Sequence, residues 1–499
     1  MNIKSLVVKS LAATVRRKTI RCSMQPIQTQ NEALLILLDA AKGTRFGEAH
    51  GLKAVRTYEE FKRAVPIRDY ETFRPYIDRI LSGEVNVLCK GKPLYLTKTS
   101  GTTSGVKYIP LTKNALTNQI RAARSALLQY VYETGNDRFL SGKMIFLQGS
   151  PKLTDSAGIK TGRLSGIVAH HVPKYLQSNR MPGWETNCIE DWEQKVDAIV
   201  DETLQEDMRL ISGIPPWIKM YFEKLRHRSG KTIGDLFPNF SLMVTGGVNY
   251  TPYQKAIQEL VGRKIDIIQT YPASEGFIAY QDTREEEGLL LLLDQGIFYE
   301  FIPLVEIFSR NPGRINLEKV DIGVDYVLIV STNSGLWAYN MGDTIRFVSK
   351  DPYRIIVTGR VDHFTSSFGE HVIAYEVEAS LEEAMKKQSC TIVDFTVAPQ
   401  VNPLEGLPHH EWYIEFKKSP KNLEAFAQEI DQALRKKNIY YNDLISGNIL
   451  SPLIIRRVRN DGMKEYMKSI GKLGGQYKLP RLSNGKEIAD GLKDYLEIS

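Results

Sequence analysis

The sequence predicts an α/β fold with a large N-terminal domain of sheets flanked by helices and a small C-terminal α+β domain. Helix-type and strand-type periodicities alternate over most of the chain, and after Gly359 they change to a compact alternation that ends in a basic tail. A length of 499 residues suits two to four domains, each with its own core. We therefore expect a large domain over residues 1–358 and a small one over residues 364–499, joined by residues 359–363.

Composition narrows the class of protein. The chain is 42% hydrophobic and 25% charged, the profile of a globular protein, and no apolar run approaches the roughly 18 residues of a membrane-spanning helix. Its four cysteines are far apart, which predicts neither a zinc site nor disulfides and favours the reducing cytoplasm. A diffuse net charge of +7 predicts a solvated surface, with no nucleic-acid partner.

The first thirty residues are basic, and no acidic residue precedes Glu32. Apolar residues recur at helical spacing from Ile3 to Val15, which predicts an amphipathic helix. A helix docked on the large domain is our preferred interpretation. A transit peptide or a membrane-surface helix has the same composition and stays an alternative.

The elements follow in order along the large domain. The predicted helices are Asn31–Lys42, Asn114–Glu133 with Thr112 as N-cap, and Glu190–Ile211. The predicted strands are Lys143–Leu147, Leu242–Thr245, Ile265–Thr270, Tyr326–Ser331, Trp337–Tyr339 and Arg354–Thr358. Leu289–Asp294 and Ile297–Ile302 flank Gln295-Gly296, which predicts a hairpin.

A run of small and hydroxyl-bearing residues, Thr-Lys-Thr-Ser-Gly-Thr-Thr-Ser-Gly, occupies positions 97–105 between two strand-type runs. Glycine permits positive φ and close backbone approach, so consecutive N–H groups here can form an anion-binding nest. The spacing is not that of a Walker A loop. The segment predicts a phosphate-binding loop, with an ordinary hairpin loop as the structural alternative. Its candidate ligands are Ser100, Gly101, Thr102, Thr103 and Ser104, followed by the mobile charge of Lys107.

A second cluster, Thr270-Tyr271-Pro272-Ala273-Ser274-Glu275-Gly276, follows a predicted strand. The Tyr271 ring can stack on a purine, and the small residues Ala273 and Ser274 leave room for the base. The Glu275 carboxylate can hold Mg²⁺ against phosphate oxygens. The structural alternative for Tyr271 is a core residue.

Two further clusters lie near the predicted domain boundary. Asp343, after Gly342, can accept hydrogen bonds from the two neighbouring hydroxyls of a ribose. Thr358-Gly359-Arg360 falls at the boundary itself. A β-turn aspartate and an ordinary interdomain turn are the structural alternatives.

The order of these clusters resembles the ANL superfamily of adenylating enzymes, through TSGTTSG followed by VK, then TYPASEG, YNMGDTIRF and TGR. Within it, the chain is similar to the Gretchen Hagen family, the auxin-responsive acyl acid-amido synthetases and their bacterial relatives. Three more segments carry that similarity, Gln28–Gly47, Phe298–Pro303 and Gly471–Asn484, so the resemblance covers nearly the whole chain.

The resemblance implies a small β-barrel-like part in the large domain and a C-terminal domain that acts as a mobile lid about the hinge 359–363. It also implies a two-step reaction. A carboxylic acid and ATP give an acyl-adenylate and pyrophosphate, with Mg²⁺ as cofactor, and an amine, typically of an amino acid, then forms an amide. We expect a cytoplasmic monomer with these small-molecule partners and no stable membrane association.

The resemblance implies a role for each residue that matches a family motif by position. Ser100, Thr102 and Thr103 would grip the phosphates, and Glu275 would bind Mg²⁺. Adenine would be lined by Gly246, Gly247 and Tyr271, with Thr270, Ala273 and Ser274 beside them. Asp343 would bind the ribose hydroxyls, and Arg360 would also belong to the nucleotide-binding set. Lys478 would enter the site for adenylation and neutralise charge developing at the attacking carboxylate and the α-phosphate.

The chain departs from the superfamily pattern at three places. Ser104 stands where glycine is usual and Val106 where proline is usual, and neither change removes a phosphate ligand. His363 follows Asp362 where a second acid is usual, which leaves the pivot residue of the hinge open.

Two other functions stay open from the sequence. A coenzyme A ligase would form a thioester from the same adenylate, and the basic strand end Arg456, Arg457 and Arg459 could bind its phosphates or be a solvated edge. A catalytically silent nucleotide-binding protein is the third hypothesis. The acid is not named by the sequence, because acyl pockets are built from variable apolar positions.

Overall fold

The computed structural model describes residues 3–497 apart from 101–105, 173–176, 248–249, 308, 310–311, 362–363, 366–371, 402, 404, 447–448, 473–478 and 484. The chain divides into two compact units. The first unit comprises residues 1–303, 311–341 and 346–356, and the second comprises residues 304–310, 342–345 and 357–499.

The first unit begins with five helices. They are α1 (Ile3–Met24), α2 (Pro26–Ala41), α3 (Arg45–Ala49), α4 (Tyr58–Ala64) and α5 (Tyr70–Leu81). Helix α4 starts with a reciprocal capping box between Thr57 and Glu60, and Asp69 caps α5 by accepting from the Thr72 N–H. Buried Gln30 of α2 donates to the carbonyls of Leu293 and Ile297. These hydrogen bonds connect helix α2 to the residues just before and at the start of the strand Ile297–Pro303.

Strands and helices then alternate through the middle of the chain. In order they are β1 (Tyr95–Ser100), β2 (Val106–Leu111), α6 (Lys113–Thr134), β3 (Lys143–Phe146), β4 (Thr154–Ser156), β5 (Ile159–Gly162), α7 (Leu164–Ala169), β6 (Arg180–Met181), α8 (Trp184–Asn187), α9 (Trp192–Thr203), β7 (Met208–Gly213), α10 (Pro215–Ser229), α11 (Ile233–Leu236), β8 (Leu242–Gly246), α12 (Thr251–Val261) and β9 (Asp266–Pro272). Thr112 caps α6, as predicted, by accepting from the Ala115 N–H.

The parallel strands β6, β3, β7, β8 and β9 lie side by side in one sheet. Neighbouring residues on each strand face opposite sides. Met144, Leu210 and Leu242 pack with α1 and α6, whereas Ile145, Ile211 and Met243 pack with α9 and α10. Helices therefore cover both faces of this part of the sheet.

Antiparallel strands extend the same sheet. They are β10 (Phe277–Tyr280), β11 (Leu289–Leu291), β12 (Ile297–Pro303), β13 (Ile315–Asn316), β14 (Asp325–Thr332), β15 (Tyr339–Lys350) and β16 (Tyr353–Arg360). Over the described residues the strand order is β13-β12-β14-β15-β16-β11-β10-β9-β8-β7-β3-β6. A separate sheet in the first unit has the order β2-β1-β5-β4.

The second unit has its own sheet and core. Its elements are β17 (Phe364–Thr365), β18 (Val372–Ile373), α13 (Ala374–Gln388), β19 (Thr391–Gln400), β20 (His409–Lys418), α14 (Leu423–Lys437), α15 (Ile439–Ser446), β21 (Ile454–Val458), α16 (Gly462–Ser469) and α17 (Glu487–Leu492). Strands β19, β20 and β21 form a sheet in that order, and Phe395 and Trp412 pack against Leu381 and Phe426 of the helices. The predicted α/β fold class, with a smaller C-terminal domain, is confirmed.

Two sequence predictions about the elements were wrong, and a third, the strand Trp337–Tyr339, overlaps strand β15 only at Tyr339. The predicted helix Glu190–Ile211 is helix α9 followed by strand β7, because buried Met208, Leu210 and Ile211 form a short apolar run whose periodicity does not distinguish helix from strand. The predicted hairpin around Gln295-Gly296 does not form. Strand β11 pairs with β10 and β16, while β12 pairs with β13 and β14.

Helix α1 is docked, as our preferred interpretation predicted. Ala12 is completely buried, and Val8 and Val15 pack beside it against Leu128 and Val131 of α6. Among the described residues, no helix is both long and apolar enough to span a membrane.

Candidate functional site

Several predicted nucleotide-binding residues lie together where β8 and β9 end. Gly246 pairs with Thr270 in the parallel ladder, and the Thr270 hydroxyl donates to the carbonyl of Thr245 at 3.1 Å. A Cβ on Gly246 would collide with the carbonyl of Thr270 and lie 2.7 Å from its Oγ1. Gly247 follows with φ of +77°, a left-handed conformation that favours glycine. Gly246 thus permits the close approach of β8 to β9, and Gly247 permits the left-handed backbone just after β8.

Glu275 lies at the tip of a tight turn between β9 and β10. The N–H of Ala273 donates to the carbonyl of Gly276 at 2.9 Å, and the N–H of Gly276 donates back at 3.2 Å. Ser274 and Glu275 therefore occupy the two central positions of a two-residue hairpin turn and are partly exposed. A short turn of this kind fixes the origin of the Glu275 side chain within the rigid sheet.

Helix α6 holds this turn from the side. The Gln119 amide, 5% exposed, donates to the carbonyl of Ala273 at 2.8 Å. Sequence reasoning missed Gln119, although a glutamine on the apolar face of an amphipathic helix is a detectable signal.

Tyr271 lies in strand β9 rather than after it, and pairs with Ala279 of β10. The residue is 7% exposed, so only a small part of its ring is free to contact a ligand. Stacking on adenine and a core role both stay compatible with this position.

The predicted phosphate loop is flanked by a regular antiparallel pair. The ladder between β1 and β2 runs from Tyr95↔Leu111 to Ser100↔Val106. Lys107 places its Nζ 5.5 Å from the centre of the Tyr70 ring, a cation–π contact. Gly101, Thr102, Thr103 and Ser104 lie outside the described residues, so their predicted role stays a prediction.

Asp343 and Arg360 form an ion pair within the second unit. Arg360 Nε lies 3.3 Å from Asp343 Oδ1, and the side chains are 43% and 16% exposed respectively. Beside them, the hydroxyls of buried Thr358 and Thr344 are joined by a 3.0 Å hydrogen bond. The sequence singled out both charged residues but did not foresee their pairing.

Lys478 lies outside the described residues, but the segment after it is firmly attached. Arg481 Nε lies 3.4 Å from Glu378 Oε1, and Arg481 also contacts Asp394 and the carbonyl of Phe395. Leu482 is fully buried in the core of the second unit.

The basic strand end at β21 is internally neutralised. Arg456 pairs with Glu411 at 2.6 Å, Arg457 with Glu497 at 2.9 Å, and Arg459 with Glu465 at 2.5 Å. This arrangement agrees with the interpretation of a solvated edge.

Lys195 is a buried cation that the sequence did not single out. It is 1% exposed, and its Nζ donates to the carbonyls of Gln148 at 3.0 Å and Asn187 at 2.6 Å. Burial, reinforced by the nearby Arg163, lowers the pKa of Lys195 to about 8. Through these two hydrogen bonds Lys195 connects Gln148, which follows β3, to Asn187, which precedes α9.

The fold is shared with two enzymes of known structure. A 2-hydroxyisobutyryl-CoA ligase in the postadenylation state superposes with a TM-score of 0.60 at 12% identity, over 93% of this chain and 90% of that one. The GH3.15 acyl acid amido synthetase superposes with a TM-score of 0.81 at 17% identity, over 98% of this chain and 97% of that chain.

Sequence comparison identifies the family. Residues 16–187 match the GH3 family N-terminal domain, residues 290–360 its central domain and residues 375–487 its C-terminal domain. The chain therefore belongs to the GH3, or Gretchen Hagen, family.

Curated relatives match over almost their full length. A jasmonoyl–L-amino acid synthetase of Nicotiana attenuata is 21% identical, over 91% of this chain and 90% of its own. An indole-3-acetic acid-amido synthetase of Arabidopsis thaliana is 21% identical, over 91% and 88%. These relatives are amido synthetases, which are ligases.

Proposed function

We propose that this protein is an ATP-dependent acyl acid-amido synthetase. It activates a carboxylic acid as an acyl-adenylate with release of pyrophosphate, and transfers the acyl group to an amine, most readily that of an amino acid. The observation that carries the proposal is the GH3 family match over all three domains, together with the Glu275 turn on the sheet edge.

The roles of the residues divide between the two units. In the first unit, Gly246 and Gly247 give adenine close access to the backbone, and the flanks of the 101–105 loop bring Ser100 and Lys107 towards phosphates. In the second unit, the ionised Asp343 accepts hydrogen bonds from ribose hydroxyls, and Arg360 keeps its carboxylate in a fixed orientation.

Magnesium is the proposed cofactor, and Glu275 fits its requirements. Mg²⁺ takes hard oxygen ligands and usually needs only one or two protein carboxylates, because phosphates and water complete its shell. Glu275 offers a partly exposed carboxylate from a rigid turn. The ion supplies charge neutralisation of the phosphates when it is bound.

The runner-up function is a coenzyme A ligase, which forms the same adenylate and then a thioester. The pairing of Arg456, Arg457 and Arg459 with carboxylates argues against a free phosphate site there. Relatives named as amido synthetases favour the amide. We further propose that the protein works in the cytoplasm, which suits its four free cysteines.

The test is a panel of carboxylic acids screened by pyrophosphate release, followed by analysis of the product. Each active acid is incubated with ATP, Mg²⁺ and either an amino-acid mixture or coenzyme A. We expect amides identifiable by mass spectrometry. Thioester formation without amide would replace the proposal with the coenzyme A ligase, and ATP binding without pyrophosphate release from any acid would favour a silent nucleotide-binding protein.

The first prediction concerns the metal. Glu275→Gln should reduce acid-dependent pyrophosphate release at limiting Mg²⁺ by about a hundredfold, since a neutral amide is a much weaker ligand for a hard cation. Glu287→Gln, which changes an exposed glutamate between β10 and β11 in the same way, is the matched control and should retain most of the activity. A Mg²⁺ titration of Glu275→Gln that overlays the wild-type curve would exclude this role.

A further inference from the structure

A basic cleft lies in the first unit, away from the residues discussed above. It lies where the parallel strands begin: Arg138 precedes β3, Arg209 is the second residue of β7, Ser241 precedes β8 and Arg263 precedes β9. Gly246 and Thr270 lie at the opposite ends of β8 and β9, strands of five and seven residues. At about 3.3 Å per residue, the cleft is separated from that edge by roughly 15–20 Å of sheet.

Four cations line this cleft of about 550 Å³, namely Lys9 of α1, Arg138, Arg209 and Arg263. Arg209 is neutralised by Asp207 at 2.8 Å. Arg263 donates instead to the neutral carbonyls of Phe237, Pro238 and Phe240 at 2.6–3.3 Å, so it keeps its positive charge.

The charges of Lys9 and Arg138 are not neutralised by any of the described residues. Over the described parts of the chain, neither side chain has an ion pair or a hydrogen bond. The lining contains one carboxylate, Asp137, so the cleft stays electropositive. The hydroxyl of Ser241, also in the lining, is shielded from solvent and has no hydrogen-bond partner among the described residues.

The chemistry of the lining selects the ligand. Lysine and arginine bind phosphate and carboxylate oxygens through charge-assisted hydrogen bonds. The aromatic member of the lining, Phe240, is fully buried and offers no surface on which a base could stack. The cleft would therefore recognise the anionic groups of a ligand rather than an aromatic ring.

We propose that this cleft binds a small molecule carrying at least two anionic groups, phosphate or carboxylate, at a site separate from the nucleotide-binding edge. Such a ligand bridges Lys9 on α1 to Arg138 and Arg263 at the sheet edge. Binding therefore strengthens the docking of α1 onto α6. The inference does not depend on the proposed function.

Hydrogen exchange read by mass spectrometry tests this inference, because it locates binding along the chain. The full-length protein is titrated with inorganic pyrophosphate and, separately, with citrate, against sodium chloride at equal ionic strength. We expect slower exchange in peptides covering residues 5–15 and 134–142. Protection by pyrophosphate alone identifies a phosphate ligand, and protection by both anions identifies a general polyanion site.

Variants separate the cleft from a general attraction to a basic surface. Lys9→Gln combined with Arg138→Gln should weaken the local protection about tenfold or more, because both free cations are lost. Arg17→Gln is the matched control, since Arg17 is an exposed cation on the same helix but outside the lining, and it should retain the protection. Absence of protection at these peptides with either anion, or equal weakening by Arg17→Gln, would overturn the proposal.

Discussion

At the scale of single residues, Asp343 combines two properties that a ribose-binding carboxylate needs. It lies on a β-strand, which fixes its backbone, and it pairs with Arg360, which orients one of its oxygens. A carboxylate held in this way accepts hydrogen bonds without first losing much side-chain entropy.

The second prediction follows from this arrangement. Asp343→Ala should raise the dissociation constant for ATP at least about tenfold, because a hydrogen bond to a charged group contributes about 1.5–3 kcal/mol. Asp325→Ala is a close control, since Asp325 likewise forms an ion pair with an arginine, Arg346. The two aspartates are similarly exposed, at 18% for Asp325 and 16% for Asp343. Direct titration calorimetry measures both variants. An unchanged ATP affinity in Asp343→Ala would make Asp343 a structural residue.

Lys195 gives a prediction about stability and pH. Its pKa is about 8 in the folded protein, below the ordinary value of 10.5, because burial disfavours the ammonium form. Between these two pH values the unfolded chain binds more protons than the folded one, so the free energy of unfolding rises with pH. The neutral amine still has two hydrogens for the two carbonyls it contacts.

The third prediction compares wild type with Lys195→Met over that pH range. From pH 8 to pH 10.5 the wild type should gain about 2–3 kcal/mol of stability relative to the variant, since the methionine does not titrate. Urea unfolding at several pH values measures the difference, and other titrating groups cancel between the two proteins. A difference that stays constant with pH would mean that Lys195 does not change its charge in this range.

At the scale of elements, the turn between β9 and β10 depends on a contact from a distant part of the chain. Gln119 of α6 donates to the carbonyl of Ala273, one residue before the two central positions of the turn. Helix α6 is itself fixed by Thr112, its N-cap, and by packing on the sheet. The position of Glu275 thus follows from two elements rather than from its own loop.

The fourth prediction is that Gln119→Leu impairs catalysis more than stability. Leucine suits a buried helix position, but the Ala273 carbonyl keeps only the Gly276 N–H as donor, and the turn can shift. A displacement near 1 Å costs up to about a hundredfold in rate. We expect a lower kcat and a higher Mg²⁺ requirement, with little change in KM for the acid.

Gln129→Leu is the control for this change. Gln129 lies on the same helix, is 2% exposed and donates to the carbonyl of Asp282 at 3.4 Å. It should lose stability without a change in Mg²⁺ requirement. If the two variants behave alike, Gln119 has only a packing role.

Local sequence patterns predicted helix α6 correctly but not the pairing of strands β11 and β12. The start of α6 could be predicted from Thr112 and the amphipathic pattern after it, because an N-cap acts within four residues. The strand partners of β11 and β12 could not be derived, because pairing depends on long-range contacts. Arg121 binds the Gln295 side chain, and a Cβ on Gly296 would crowd Asn333, so the predicted turn residues serve contacts with distant elements.

The candidate site shows the same limit. The sequence singled out Glu275 and Asp343 as candidates because carboxylates suit a chemical task, and the family resemblance supplied Gly246 and Gly247. Gln119, Lys195 and the pairing of Asp343 with Arg360 were missed, since each depends on residues between 8 and 154 positions away in the chain. Of these, Gln119 alone has a local signal, since it is a glutamine on the apolar face of an amphipathic helix.

At the scale of the whole molecule, the two compact units carry different parts of the proposed chemistry. The first unit contains the Glu275 turn and the strands that flank the predicted phosphate loop, and the second contains Asp343, Arg360 and the segment that follows Lys478. Residues 342–345 belong to the second unit although β15 begins and ends in the first. Because the two units contain different candidate residues, adenylation and amide formation can use different sets of residues.

The fifth prediction tests that division through Lys478. Lys478→Ala should reduce acid-dependent ATP–pyrophosphate exchange by about 10²–10³-fold, because it removes a positive donor from the transition state of adenylation. Amide formation from a pre-made acyl-adenylate and an amino acid should stay near normal, since the family resemblance implies that this lysine is withdrawn before the second step. Lys472→Ala, which removes an exposed lysine from the same C-terminal segment, should leave both half-reactions unchanged. Equal losses in both half-reactions of Lys478→Ala would instead mean that the lysine stays in one place throughout turnover. In that case the C-terminal unit does not act as a lid, and the contacts of Arg481 and Leu482 within that unit would be purely structural.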